Sequence, residues 1–119
     1  KLFGKGPKIY RYLCDDPKFK INKWSCATHP HNYYIQILAE LGILGFLFIS
    51  IFYLYVCGKI LTLFNKKITE QNNYMSCIMC FFLINMWPLT TTGNFFNNWV
   101  SIFLYLPFSF FLLANKKYR

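Results

Sequence analysis

The chain has 119 residues and a mass of 14.2 kDa; 55% of it is hydrophobic, 22% aromatic and 14% charged. A water-soluble domain this small cannot hide so much apolar surface, and the same figures exclude intrinsic disorder, so an integral membrane protein is the first reading. The net charge of +9, from 13 Lys and Arg against 4 Asp and Glu, suits nucleic acid or a membrane, and the placement of the charges decides.

Residues 1–29 are polar and carry a balance of +5. Apolar runs follow at 35–57, 75–92 and 98–114, separated by a basic loop at 59–73 and closed by Lys116, Lys117 and Arg119. Nucleic-acid readers interleave basic residues with aromatics on an exposed face. Here the basic blocks bracket the apolar runs, so no nucleic-acid partner is expected. The first run matches a hydrocarbon core of about 30 Å, and the other two are short, with Pro88 near the end of one and Pro107 inside the other. The fold expected is all-α: three transmembrane helices over 30–119, with 1–29 as a loop outside the membrane. The positive-inside rule puts 59–73 and the C-terminus in the cytoplasm. Residues 1–29 and the 90–97 tip then lie on the opposite side, although 1–29 is itself basic.

Cysteines break that near-tie. Cys57, Cys77 and Cys80 fall in or beside the apolar runs, where a thiol is a small apolar side chain. Cys14 and Cys26 share the polar segment, and a disulfide between them would place it in an oxidising compartment. With His29 and His31 they also make a ligand set that suits zinc, but without the paired CxxC spacing of a strong metal signal. The bridge is the simpler use, and no metal or other cofactor is expected.

The densest polar cluster runs from Cys26 to Asn32. Thr28 and Pro30 read as a helix start. Asn32, Gln36 and Glu40 then recur at i, i+4 and i+8, a polar stripe descending one helix face. An ionisable group within a span is a candidate for function, so Glu40 is one, with a hydrogen-bonding role inside the bundle as its alternative. Gly42 and Gly45 read as a close-packing pair against another helix. His31 or His29 could act as a general base at the membrane boundary, where a near-neutral pKa is useful, or simply hydrogen-bond the helix end.

His31-Asn32, nine residues, then Gly42-Ile43-Leu44-Gly45 reads as H-N-x9-G-x-x-G. This resembles the C-terminal signature of the bacterial O-antigen ligase and O-antigen polymerase superfamily. The stretch from His29 to Gly42 and the upstream Phe3-Gly4-Lys5-Gly6-Pro7 fit the same pattern, as do Trp87-Pro88 and the run from Gly93 to Trp99 less specifically. The resemblance implies the C-terminal part of a polytopic inner-membrane enzyme of the cell envelope and lipopolysaccharide biosynthesis, inactive as this piece alone. It implies metal-independent, inverting transfer of a glycan from a polyprenyl-diphosphate donor to a lipid or glycan hydroxyl on the periplasmic side. His31 matches the family's essential histidine, with Asn32, His29, Gln36 and Glu40 in support. The arginines that hold the diphosphate in that family are expected upstream of residue 1, and Arg11 does not match their position. A polymerase of the same superfamily is one alternative. A non-enzymatic transporter or flippase segment, its path lined by Asn32, Gln36 and Glu40, is another.

Overall fold

A computed structural model of the protein describes residues 2–14, 16–18, 20, 22, 29–66 and 69–117. Among the described residues all regular structure is helical: α1 (Tyr10–Leu13), α2 (Tyr33–Phe64), α3 (Glu70–Asn85) and α4 (Asn98–Lys117). α3 packs against both α2 and α4. Their shared core takes Ile49, Tyr53, Val56 and Ile60 from α2, Met75, Ile78, Met79 and Phe82 from α3, and Phe111 and Ala114 from α4. The spacings of three and four residues place each set on one helix face.

Two of the expected spans change length. α2 runs past residue 57 to Phe64, because Ile60 continues the buried face that Tyr53 and Val56 begin. Lys59 is therefore inside a helix, and the loop expected at 59–73 does not extend over residues 59–64 or 70–73, which are helical. α3 starts earlier than residue 75 and stops at Asn85, well short of 92. Thr69 caps its start, the hydroxyl accepting from Asn72 N–H at 3.2 Å. Pro88 accounts for the early stop, since the residue before a proline is driven out of helical conformation. At 16 residues α3 is shorter than the roughly 20 that a bilayer needs. α4 begins at residue 98 as expected and contains Pro107.

α2 and α4 are long and apolar enough to cross a membrane. Only 22% and 11% of their most apolar windows are buried within the fold, whereas the core helix of a water-soluble domain would be mostly covered. The uncovered face of α2 includes Phe48, Ile51, Leu54 and Leu61, a continuous apolar surface of the kind lipid or further helices cover.

The helix breaks once inside α2. Gly42 has φ 80° and ψ −166°, which only glycine adopts readily. The break leaves a short upper piece, 33–41, above an uninterrupted helical run of 43–64, about 33 Å at 1.5 Å per residue. Residues 2–10 cross the chain at that break.

Candidate functional site

Three segments meet at the N-terminal end of α2. They are residues 2–13, residues 29–41 and the α3–α4 connection. The helix start lies at Asn32 rather than Thr28 or Pro30. Asn32 has extended dihedrals, and its Oδ1 accepts from the N–H groups of Tyr34 at 3.0 Å and Ile35 at 3.2 Å. Pro30 precedes the helix, and Thr28 lies outside the described residues. The other end of the Asn32 carboxamide donates to the Pro88 carbonyl at 2.6 Å. Tyr34 donates its hydroxyl to the Met86 carbonyl at 2.8 Å, and Thr92 N–H donates to the His31 carbonyl at 3.0 Å. The 86–97 connection and the start of α2 thus occupy one end of the bundle.

Gln36 and Glu40 form the floor. Both are buried, at 0% and 1% exposure. Glu40 Oε2 accepts from Lys8 N–H at 2.9 Å and from Gln36 Nε2 at 3.3 Å, while Oε1 accepts from Tyr10 N–H at 3.4 Å. Gln36 Nε2 also donates to Asn94 Oδ1 at 2.9 Å, and its Oε1 accepts from Phe95 N–H at 2.9 Å. The polar stripe is thus closed over by residues 6–10 on one side and 94–95 on the other. It clamps two loops to the helix, and its oxygens and nitrogens are occupied by that clamp.

The glycines serve the same crossing. A Cβ on Gly42 would lie 2.6 Å from Gly4 N, Leu2 O and the Phe3 carbonyl carbon. A Cβ on Gly4 would collide with the Glu40 carbonyl. Gly6, at φ 109°, donates its N–H to that carbonyl at 2.9 Å. The glycine pair expected to receive another helix therefore does something different. Gly42 receives an extended segment, and a Cβ on Gly45 would meet Leu41 and Ile37 of its own helix. The upper piece tilts at the break, and that brings its side chains over Gly45.

His31 is exposed, and its ring centroid lies 4.6 Å from that of His29. His29 is half-buried and lines an open cleft of about 470 Å³ with Lys8, Arg11, Asn94, Asn97 and Asn98. Burial lowers the pKa of His29 below 6.5, helped by the neighbouring His31 and by Arg11, and opposed by the Thr92 backbone and Glu40. Its imidazole is held neutral near pH 7, with capacity to take a proton. A second cleft of about 400 Å³ is lined by Phe3, Lys5, Leu13, Leu38 and Ala39, so the 2–13 segment borders one polar and one mostly apolar recess.

Cys14 is disulfide-bonded and buried, and Cys26 lies outside the described residues. Cys57, Cys77 and Cys80 are free thiols. Among the described residues no three His, Cys, Asp or Glu side chains gather as a metal site. The structure therefore brings His29, His31, Asn32, Gln36 and Glu40 to one place. Lys8, Arg11 and the asparagines of the α3–α4 connection join them, and the sequence singled none of these out as site residues. Arg11 stood out only by failing to match a motif position. The one signal for the asparagines was their density between Gly93 and Trp99.

Comparison of the chain with protein families, with characterised proteins and with solved structures returned no match.

Proposed function

We propose that this chain is part of a membrane glycosyltransferase of the O-antigen ligase type, with His31 as its general base. The observation that carries the reading is that the two halves of the resembling motif meet. Gly42 of H-N-x9-G-x-x-G packs against Gly4 of the Phe3-Gly4-Lys5-Gly6-Pro7 segment, and His31 lies exposed with its ring 4.6 Å from His29, which lines a cationic cleft. Of the two clefts bordering residues 2–13, one is polar and the other mostly apolar with Lys5 at its wall, a pairing that suits an amphiphilic, lipid-linked donor.

In this reading α2 and α4 cross the inner membrane, and the His31 end faces the periplasm with the disulfide-bonded Cys14. The acceptor hydroxyl gives its proton to a nitrogen of His31 as its oxygen attacks the anomeric carbon. The bond from that carbon to the diphosphate oxygen breaks, and polyprenyl diphosphate leaves with the electron pair, inverting the configuration. Cations stabilise the departing charge more effectively than a nucleophilic side chain would. Asn32, Gln36 and Glu40 hold the loops that frame the histidine. A transporter path along this stripe finds less support, because Gln36 and Glu40 spend their polar atoms on backbone and on Asn94.

The test is glycan transfer by the intact protein in membranes supplied with a polyprenyl-diphosphate-linked glycan and chelator. The reading expects a glycosylated acceptor and released polyprenyl diphosphate, and donor flipped across the bilayer without transfer would refute it.

A further inference from the structure

The cleft beside His29 combines cations with carboxamides. Lys8 and Arg11 bring two cations, Asn94, Asn97 and Asn98 bring carboxamides, and none of its described lining residues is acidic. Two of the three carboxamide oxygens are already committed. Asn94 Oδ1 accepts from Gln36 Nε2 and from Phe96 N–H, each at 2.9 Å, and Asn97 Oδ1 accepts from Trp99 N–H at 3.2 Å. What Asn94 and Asn97 have left is their NH2 groups, so these walls offer donors. Lys8 sits at φ 61°, a left-handed conformation uncommon for a side-chain-bearing residue, and its N–H is fixed to the buried Glu40 carboxylate. Backbone strain held by a buried partner is found where a side chain must be presented at a set place.

A ligand for such a cleft is rich in acceptors and carries negative charge. A bare phosphate would accept from cations and carboxamides alike, but it is small for a cleft of about 470 Å³. Several oxygens on one ring plus an oxyanion would use both, the oxyanion meeting Lys8 and Arg11 in charge-assisted hydrogen bonds. We propose that the Lys8–Arg11–Asn94–Asn97 cleft recognises an acidic saccharide, a sugar bearing a carboxylate or phosphate ester on its ring. The proposal rests on the glycosyltransferase reading for its biological sense, and it assigns the enzyme a preference for charged glycan units next to the reacting bond.

The experiment is saturation-transfer NMR on the full chain in nanodiscs of uncharged lipid, with glucose, glucuronate, glucose 6-phosphate and inorganic phosphate as probes. Glucuronate, glucose 6-phosphate or both should bind roughly tenfold or more tightly than glucose, and more tightly than phosphate. Which of the two acidic sugars binds better distinguishes a uronic acid from a phosphorylated sugar. Lys8→Asn combined with Arg11→Gln should remove the preference; asparagine tolerates the left-handed backbone, so the fold is kept. Equal binding of glucose overturns the proposal, as does phosphate matching glucose 6-phosphate, a preference surviving in the double variant, or no binding by any sugar. The readout needs no turnover. Selective binding alongside normal transfer by His31→Ala would refute the catalytic reading alone, and absent selectivity alongside inactive His31→Ala would refute the cleft alone.

Discussion

Replacing Gly42 by alanine tests the crossing on which the site is built. At φ 80° and ψ −166° the new residue would occupy a region open essentially to glycine, a cost of about 1–3 kcal/mol. Its Cβ would also fall 2.6 Å from three backbone atoms of Leu2, Phe3 and Gly4, none of which can rotate away as a side chain could. Overpacking of that kind adds about 1–3 kcal/mol, so the variant should lose roughly 2–6 kcal/mol or release the 2–10 segment from the helix. Two other glycines of α2 calibrate the result. A Cβ on Gly58 meets nothing within 4 Å, and Gly58→Ala should gain about 0.5–1 kcal/mol from helix propensity. A Cβ on Gly45 would fall 2.6 Å from Leu41 Cβ, an atom fixed to the backbone, but without the left-handed φ of Gly42, so Gly45→Ala should destabilise and fall between the two. Unfolding in mild detergent followed by circular dichroism gives the order, and amide exchange at Gly6 and Lys8 reports release of the segment. Wild-type stability and protection in Gly42→Ala would refute the reasoning.

Glu40→Ala should expose Lys8 and Tyr10 amides to exchange and destabilise the chain by about 1–3 kcal/mol, because Gln36 Nε2 and two backbone donors lose a shared acceptor. Unchanged exchange at both amides would remove Glu40 from the clamp. Asn32→Ala should cost about 0.5–2 kcal/mol as a lost helix cap, and more if the bond to Pro88 contributes, read from the same unfolding assay. Stability should also depend on pH through His29. Its folded pKa is lowered, so its contribution is complete above 6.5 and is lost as pH falls through the lowered value. Thermal unfolding at pH 7.5 and 5.5 should show that loss, and His29→Gln should reduce it; an identical pH response in the variant would contradict the assignment.

The helical class and the end of the chain where polar residues gather were legible in composition and in the 29–42 cluster. Helix ends were less so. Ile60 carries α2 past Lys59 because a neighbour on α3 covers its face, a tertiary effect that no charge count reveals. Pro88 was visible, yet the apolar run around it outweighed it until the backbone showed α3 stopping at Asn85. Gly42 read as a helix-packing residue, since in a sequence a contact with an extended segment looks the same as a contact with a helix. Its partner Gly4 lies 38 positions away, and only folding brings them together. The cleft was the least legible part. In the sequence Lys8 counts only toward the +5 of residues 1–29 and Arg11 matches no motif position, whereas in the fold Glu40 holds the Lys8 and Tyr10 amides and so fixes the segment carrying both cations.

The central claim is that His31 takes a proton during glycan transfer, and the direct measurement is transfer by His31→Ala in cells lacking the native enzyme, normalised to protein in the membrane. His31 is exposed and its backbone carbonyl, which the substitution keeps, makes the bond to Thr92, so abundance should hold. Loss of a general base should lower the rate by about 10²–10⁴, with His29→Ala costing less. Near-normal transfer by His31→Ala at wild-type abundance would contradict the account and leave the histidine a structural residue at the helix mouth.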